Sequence, residues 1–524
     1  MAVAQSGEGR SRMVNRRDLI QGAVGALALS LPGARTGAQP ANPAGSVREP
    51  SAPFNPADLL AFARDLARQP FRPSPKDLPD FAASLNPEQF AAVRAKPSGV
   101  VWGGENLGFA IEPLHRGFVF TAPMQIFLIE ANAPRRLEYR VEDFEFGSIQ
   151  PPPNVPDLAF SGFRVLQRRD GALVDVATFQ GASFFRARAP GQGFGVQARG
   201  LSVRTADPRG EEFPVFKAVW IERPSLAENV LVVHALLDSE STVGLYRMAV
   251  RPGEATIIDT EMTLLPRANA DVIGIATMSA KSTSTPLDRR RPDDIRPRIA
   301  EANGMCMLTG GNEWIWRPIT NRTTLQISSF ADENPKAFGF LQRDRDFDRY
   351  LDDDNHWERR PSLWIEPLGD FGPGEFQLVE IPAENETNNN CVAFWRPRGG
   401  IAAGKEASWA YRQFWCWEPP TRPALATTLF SLGGRGASGR RRRFMVGFGG
   451  DLLGDEKATA ELKASLHASP GSVQSLRWFH ERDRARCRVL FEIDPGGENA
   501  VEMRLVLEAA GKPLSETWLY RWTA

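Results

Sequence analysis

Cysteine, histidine and net charge are scarce in this sequence, and each scarcity excludes a class of protein. The 524 residues include four cysteines and five histidines. Neither a disulfide-dense scaffold nor a histidine-based metal site is therefore predicted, and no spacing selects a disulfide pair. Basic and acidic residues number 63 each, which excludes a globally basic nucleic-acid-binding protein. The motifs of serine hydrolases, P-loop proteins and H-E-x-x-H metalloproteases are absent, so no metal or other cofactor is expected.

The residues that are plentiful favour β-structure. The chain has 46 glycines, 41 prolines, 32 phenylalanines and 13 tryptophans, and short alternating runs such as FAIEPL and VLVVHALLD recur between turn residues. Helices are predicted at 55–68, capped by Asn55, and at 86–94. We predict an all-β protein, with a large antiparallel β-sandwich over 53–400 and an immunoglobulin-like β-sandwich over 401–524.

The first 38 residues have the order of a Tat-type export signal. Arg16 and Arg17 precede an apolar stretch at 23–31, and small residues follow up to Ala38. The apolar stretch is too short to span a bilayer. We predict cleavage after Ala38, a linker at 39–52 and a mature protein in the periplasm. A membrane anchor and a disordered N-terminus are the alternatives.

Aromatic and charged residues alternate between positions 312 and 397. Aromatic rings can stack on pyranose faces, while carboxylates and guanidinium groups hydrogen-bond sugar hydroxyls. The pattern predicts a carbohydrate-binding cleft, and an internal ion-pair network with core tryptophans is the alternative. The candidate substrate-binding residues are Trp314, Trp316, Arg343, Arg345, Trp364, Glu366, Glu380 and Trp395.

Twelve motifs in one order resemble the periplasmic glucan biosynthesis family, proteins G and D, over residues 53–524. They are VWGGENL at 101–107, HRGF at 115–118, GASFFR at 181–186, ARGL at 198–201, GEEFP at 210–214, WIERP at 220–224, LQISSF at 325–330, QRDRDF at 342–347, RPSLWIEP at 360–367, LVEIP at 378–382, VAFWRP at 392–397 and LSETW at 514–518. The Tat-type signal is similar to that of protein D.

The resemblance implies a galactose-mutarotase-like N-terminal β-sandwich with a cleft and an immunoglobulin-like C-terminal domain. It implies a role in making osmoregulated periplasmic glucans, with the β-1,2-glucan backbone as ligand and the inner-membrane glucan synthase as a candidate partner. Whether the protein forms a homodimer is left undecided by the sequence. Characterised relatives act as inverting endo-β-1,2-glucanases or as related transglycosylases. Inversion needs one carboxylic acid to protonate the leaving oxygen and one carboxylate to activate water.

This sequence departs from the family pattern where those two carboxylates should stand. The family acid is the aspartate of an E-T-N-D-N run, and here Asn389 occupies that position. The other carboxylate falls in an R-P-x-x-H-D-S-D-G run, where Glu301 keeps a carboxylate but Ala300 and Asn303 replace the histidine and the second aspartate. Residues 277–282 also differ from the family pattern. Because an amide has no proton to give near neutral pH, reduced or absent glucanase activity is expected.

Three functions remain open from the sequence. The first is a protein that binds and shapes β-1,2-glucan with little or no cleavage. The second is an active hydrolase or transglycosylase whose acid has moved to Asp344, Asp346 or Glu366. The third is a non-catalytic partner of a glucan-export assembly. Glu384 and Glu386 are not obvious substitutes, since a strand would turn both away from Asn389.

Overall fold

A computed structural model describes residues 53–75, 77–288 and 293–524. The predicted signal at 1–38 and the predicted linker at 39–52 lie outside the described residues. Within the described part of the chain, no helix has the length and apolar character needed to cross a membrane.

Helices cluster at the start of the described chain, where both predictions are confirmed. They are α1 (Pro56–Ala67), α2 (Asp80–Ala83) and α3 (Pro87–Ala92). The Asn55 side chain accepts a hydrogen bond from the Ala57 amide at 3.0 Å and so caps α1. Leu59 and Ala63 of α1 are buried with Trp220 in one hydrophobic cluster, which attaches the helix to a strand of the large sheet.

Strands are the dominant secondary structure, as predicted for an all-β protein. Up to residue 300 they are β1 (Arg94–Ala95), β2 (Phe109–Leu114), β3 (Gln125–Glu130), β4 (Ala133–Arg136), β5 (Phe144–Glu145), β6 (Gly162–Arg169), β7 (Ala172–Gln180), β8 (Phe184–Ala187), β9 (Gln197–Arg199), β10 (Ser202–Val203), β11 (Val215–Glu222), β12 (Leu231–Asp238), β13 (Thr242–Arg251), β14 (Thr256–Pro266), β15 (Ile273–Ala280), β16 (Ser282–Ser284) and β17 (Ile299–Ala300).

The remaining strands alternate with short turns to the end of the chain. They are β18 (Gly304–Leu308), β19 (Trp314–Pro318), β20 (Gln326–Asp332), β21 (Ala337–Leu341), β22 (Ser362–Pro367), β23 (Gly374–Glu380), β24 (Cys391–Pro397), β25 (Ala407–Cys416), β26 (Thr427–Arg435), β27 (Arg442–Gly449), β28 (Lys463–Ser469), β29 (Ser472–Glu481), β30 (Arg486–Asp494), β31 (Ala500–Ala509), β32 (Lys512–Pro513) and β33 (Thr517–Thr523).

Two large sheets form the main sandwich. The ten-stranded sheet has the order β2-β6-β7-β8-β9-β15-β24-β23-β20, with β10 beside β15. The fifteen-stranded sheet runs β28-β31-β33-β19-β18-β21-β22-β25-β14-β13-β12-β11-β3-β4, with β32 beside β31. Nearly all the pairs are antiparallel. Residues of both sheets, including Phe163 of β6 and Met248 of β13, share one hydrophobic core, so the predicted antiparallel sandwich is confirmed.

The C-terminal strands form a second sandwich. A four-stranded sheet in the order β26-β27-β30-β29 packs against β31 and β33 around a separate core that includes Phe444, Phe491, Leu505 and Trp518. Strand β25, however, pairs with β14 and β22. Strand pairing thus puts the start of the 401–524 segment within the large sheet, and the domain boundary at residue 401 stays a prediction.

Candidate functional site

One face of the ten-stranded sheet carries a row of polar side chains. Alternation along each strand turns one set inward, where Phe163, Phe179 and Phe185 are direct cross-strand neighbours in the core. The opposite set faces away from the core. Its cross-strand neighbours are Glu112, Arg164, Thr178 and Arg186 on β2, β6, β7 and β8, followed by the paired residues Gln197 and Ser279 on β9 and β15. We call these six residues the polar row.

Asn389 lies at the end of the polar row. The Asn389 Nδ2 donates one hydrogen bond to Gln197 Oε1 at 3.0 Å and one to Ser279 Oγ at 2.9 Å. Both amide protons are therefore used. An amide has no titratable proton, and its two partners here are another amide and a hydroxyl. The Asn389 side chain therefore cannot protonate a leaving oxygen.

Glu301 is held by the backbone of Lys281, the residue that follows strand β15. Its Oε2 accepts a hydrogen bond from the Lys281 backbone N–H at 3.0 Å, and its own N–H donates to the Lys281 carbonyl at 2.8 Å. The side chain is buried, and burial raises the pKa of Glu301 against the opposing charges of Lys281, Arg360 and Arg186. Ser279 binds Asn389 and the Lys281 backbone binds Glu301, so two positions about 7 Å apart, at the end of β15 and just beyond it, connect Asn389 with Glu301.

The loop that carries Asn389 is tied to the same strand by its neighbour. The buried Asn390 side chain accepts from the Ser282 amide at 2.7 Å and donates to the Ser282 carbonyl at 2.8 Å. The Asn390 N–H also donates to the Ala280 carbonyl at 3.1 Å. These three bonds hold residue 389 against β15 and explain how positions far apart in sequence meet.

Comparison with known proteins decides the family. The model of the family "Periplasmic glucan biosynthesis protein, MdoG" matches residues 54–522. A protein named glucans biosynthesis protein G from Shewanella sp. (strain ANA-3) is 38% identical over 499 residues, which cover 93% of this chain and 90% of that protein. A protein of the same name from Vibrio cholerae serotype O1 is 36% identical over 477 residues, or 90% and 87% of the two chains.

The chain belongs to the periplasmic glucan biosynthesis protein family. The resemblance seen in its motifs is therefore confirmed. That Asn389 and Glu301 occupy the positions of the family's two carboxylates stays a prediction.

Two further departures from the glucan biosynthesis pattern have structural partners. Asn303 donates to the Tyr350 hydroxyl at 3.0 Å, and its Oδ1 accepts from the backbone amides of Arg343 and Asp344 at 2.8 and 2.6 Å. The Ala300 carbonyl accepts from Gln342 Nε2 at 2.9 Å. Both positions support the chain around Glu301, and neither adds a titratable group to it.

The argument that a strand turns Glu384 and Glu386 away from Asn389 is wrong. Residues 381–390 form a loop between β23 and β24, so strand alternation does not apply. Glu386 instead accepts from Arg296 at 2.9 Å, and Arg296 also binds Asp352 at 2.7 Å and Asp294 at 2.6 Å. Glu386 is therefore engaged by an arginine, while Glu384 is exposed to solvent.

Asp344 and Asp346, the candidate relocated acids, both have structural partners. Asp344 Oδ2 pairs with Arg298 at 2.7 Å. Asp346 accepts from the Asp348 amide at 3.1 Å and caps the short turn at Phe347–Arg349. Neither contact places a carboxyl beside Asn389, and a catalytic role for either residue stays a prediction.

The candidate residues Arg343 and Arg345 bind groups from segments that are distant in the sequence. Arg343 makes a bidentate pair with the buried Glu516 at 2.6 and 2.9 Å and lies 3.7 Å above the Trp316 ring. Arg345 donates to the backbone carbonyls of Glu358 and Trp417 at 2.8 and 2.7 Å. Burial lowers the pKa of Arg345 to about 10. These contacts match the internal-network alternative that the sequence left open.

Most of the candidate tryptophans are buried, which contradicts their predicted role as stacking platforms. Trp316, Trp364 and Trp395 expose 3%, 0% and 0% of their surface, and the half-buried Trp314 stacks on Trp364 at 5.9 Å. The cavity beside Trp316 has a volume of about 40 Å³, enough for a few water molecules and far below the roughly 300–1,000 Å³ of a typical ligand pocket. These rings fill the core because apolar strand residues face inward.

The two candidate carboxylates among the substrate-binding residues are also engaged. The buried Glu380 accepts from Arg317 at 2.8 Å and from the Thr320 amide at 2.6 Å. Glu366 accepts from Trp364 Nε1 at 3.2 Å and from the Thr421 hydroxyl at 2.5 Å. Glu380 is sealed within the protein, and only Glu366 keeps partial access to solvent.

The structure points instead to residues that sequence reasoning did not select. Arg186, Gln197, Ser279 and Lys281 surround the Asn389 and Glu301 neighbourhood. Aromatic rings lie one row further along the same sheet: the Arg199 guanidinium is 4.8 Å from the Phe184 ring centre and 5.8 Å from that of Phe213, and Phe213 is 44% exposed. The sequence does contain these residues in two of the family motifs, since GASFFR includes Arg186 and Phe184 and GEEFP includes Phe213. Their proximity, however, depends on strand pairing and could not be predicted from the motifs.

No group of three or more histidine, cysteine, aspartate or glutamate side chains suited to a metal ion occurs among the described residues.

Proposed function

We propose that this chain binds a β-1,2-linked glucose backbone along the polar row in the periplasm and cleaves it little or not at all. The observation that carries the proposal is the Asn389 amide, whose two protons are both donated to Gln197 and Ser279. A glucan lying against Asn389 would meet hydrogen-bonding groups without a proton donor for its leaving oxygen. Such a site holds and orients a chain rather than breaking it.

The composition of the face supports glucan binding. The polar row offers guanidinium, amide, carboxylate and hydroxyl groups, which hydrogen-bond sugar hydroxyls. Phe184 and the exposed Phe213 add apolar ring surface next to it, as pyranose C–H faces require. The family name and those of the relatives concern periplasmic glucan biosynthesis. An inner-membrane glucan synthase as partner and a homodimer remain predictions.

The pairing of the other acids supports weak or absent turnover. Asp344 and Glu386 are bound by arginines, and Asp346 caps a turn. Burial raises the pKa of Glu301 and of Asp288, and the Asp288 carboxylate accepts hydrogen bonds from the Thr285 and Asn321 backbone amides. One carboxyl group can exchange a proton with water, but an inverting mechanism needs a second one on the leaving group.

Purified wild-type protein should bind linear β-1,2-glucan without shortening it. Binding would be measured by titration calorimetry, and product formation by chromatography of the oligosaccharides after prolonged incubation. Glucan binding with no new oligosaccharides is the expected result. Rapid cleavage would support the active-enzyme alternative, and the lack of any glucan binding would leave the partner-protein alternative.

We further propose that the chain is exported through the Tat route, on the basis of the Arg16-Arg17 pair. Replacing both arginines with lysine should abolish export while keeping the charge of the segment. The measurement is the amount of protein in the periplasmic fraction, with a Lys405→Gln variant as a control outside the signal. Normal periplasmic levels of the double-lysine variant would contradict the Tat assignment.

A further inference from the structure

Three cationic side chains surround Glu301. Arg186, Lys281 and Arg360 each act electrostatically on its carboxylate. Among the described residues, the side chains of Arg186 and Lys281 have no ion-pair or hydrogen-bond partner; Arg186 only packs against the Phe194 ring, at 4.9 Å. Three cations against one carboxylate leave positive charge in excess, and unpaired charge out of water is unfavourable.

The third cation, Arg360, is held firmly in this cluster. Its Nη1 donates to the Phe194 carbonyl, while its Nε is buried and has no hydrogen-bond partner. Gly195 permits this close approach, since a Cβ there would lie 2.9 Å from the Arg360 Cβ. Burial lowers the pKa of both Arg360 and Arg186. A nearby anion would relieve that cost.

The acids around this cluster are committed to other partners. Asp175 pairs with Arg188, Glu112 pairs with Arg164 at 3.0 Å, Asp352 pairs with Arg296 at 2.7 Å, and Glu358 contacts His356 at 3.0 Å and Arg359 at 3.5 Å. None of these carboxylates comes within 4 Å of an Arg186, Lys281 or Arg360 nitrogen in the described structure. The positive charge is therefore not neutralised from within the described chain.

The three cationic residues border the polar row, and a buried hydroxyl group without a hydrogen-bond partner lies beside them. Thr178 is the cross-strand neighbour of Arg186, it is 4% exposed, and its hydroxyl is buried without a hydrogen-bond partner. Lys281 lies two residues beyond Ser279, the residue that binds Asn389. An anion held by these groups would therefore lie next to a glucan on the polar row.

We propose that Arg186, Lys281 and Arg360 form an anion site that receives an acidic substituent, a carboxylate or phosphate ester, attached to the bound glucan. This inference rests on the proposed glucan binding and specifies its ligand as an acidic glucan in preference to a neutral one. Guanidinium and ammonium groups donate charge-assisted hydrogen bonds to such oxygens, while the Thr178 hydroxyl can add a neutral one.

The test compares neutral linear β-1,2-glucan oligosaccharides with oligosaccharides of the same length that carry one carboxymethyl group. Dissociation constants would be measured calorimetrically for wild type, Arg186→Gln, Lys281→Met and the exposed control Lys405→Met. Wild type and the control should bind the carboxymethyl ligand about tenfold to a hundredfold more tightly than the neutral one. The ratio should fall toward one in Arg186→Gln and Lys281→Met. Free glycolate, added with neutral glucan, tests whether the anion must be attached to the sugar.

The outcomes separate this inference from the proposed function. Equal affinity of wild type for the two ligands, or a preference that survives in both cluster variants, would overturn the anion site while leaving glucan binding intact. Glycolate that competes with the carboxymethyl ligand at equal concentration would show a site for free anions and overturn the attached-substituent proposal. Binding of neither oligosaccharide would overturn both proposals.

Discussion

Replacing Asn389 with aspartate should raise the rate of β-1,2-glucan cleavage well above that of wild type. General acid–base assistance contributes roughly 10²–10⁴-fold to rate, and the substitution adds a titratable carboxyl at the family's acid position. Rotation of the Gln197 amide would let its Nε2 donate to the new carboxylate, and the Ser279 hydroxyl, now 2.9 Å from the Asn389 nitrogen, can also donate. The measurement is the initial rate of oligosaccharide release.

Asn388→Asp is the matched control, since it adds the same charge one residue away without the contacts to Gln197 and Ser279. Hydrogen bonds to a carboxylate lower its pKa, so the protonated fraction of Asp at 389 should grow as the pH falls. The activity of Asn389→Asp should therefore be higher at mildly acidic than at neutral pH. Robust wild-type cleavage that Asn389→Asp does not improve would show that another carboxyl group acts as the acid.

Replacing Arg343 with methionine should lower the free energy of unfolding by about 3–5 kcal/mol, the typical cost of breaking a buried ion pair. Arg343 is the bidentate partner of Glu516, whose side chain is 0% exposed. Without the guanidinium, the Glu516 carboxylate would stay buried with the Thr428 amide at 2.7 Å as its remaining donor. Urea denaturation would report the change, and we expect glucan affinity of the folded variant to be unaffected.

Two controls sharpen that measurement. Arg349→Met removes an exposed arginine 3.8 Å from Asp346 and should change stability by less than about 1 kcal/mol. The double variant Arg343→Met/Glu516→Gln removes both charges but keeps an acceptor for the Thr428 amide, so it should recover much of the loss. Full stability of Arg343→Met together with weaker glucan binding would restore Arg343 to the binding site that the sequence pattern predicts.

The candidate site shows where prediction from sequence succeeds and where it fails. The amide at residue 389 and the carboxylate at residue 301 could both be identified from the sequence, because the residue type at a motif position fixes which protons it can donate or accept. The predicted tryptophan cleft was wrong, since a tryptophan in a strand can face the core or the solvent and the 312–397 pattern does not say which. Trp364 and Trp395 are completely buried.

The sequence by itself determined the all-β class, the first helix with its Asn55 cap, the family and the amide at position 389. These follow from local periodicity, capping chemistry and residue identity, which act over a few neighbouring positions. Tertiary structure alone decided that the Ser279–Lys281 segment joins Glu301 to Asn389 and that Arg343 meets Glu516, 173 residues away. Such contacts depend on which strands pair and in what register, and this is settled by burial of the whole core rather than by any local segment.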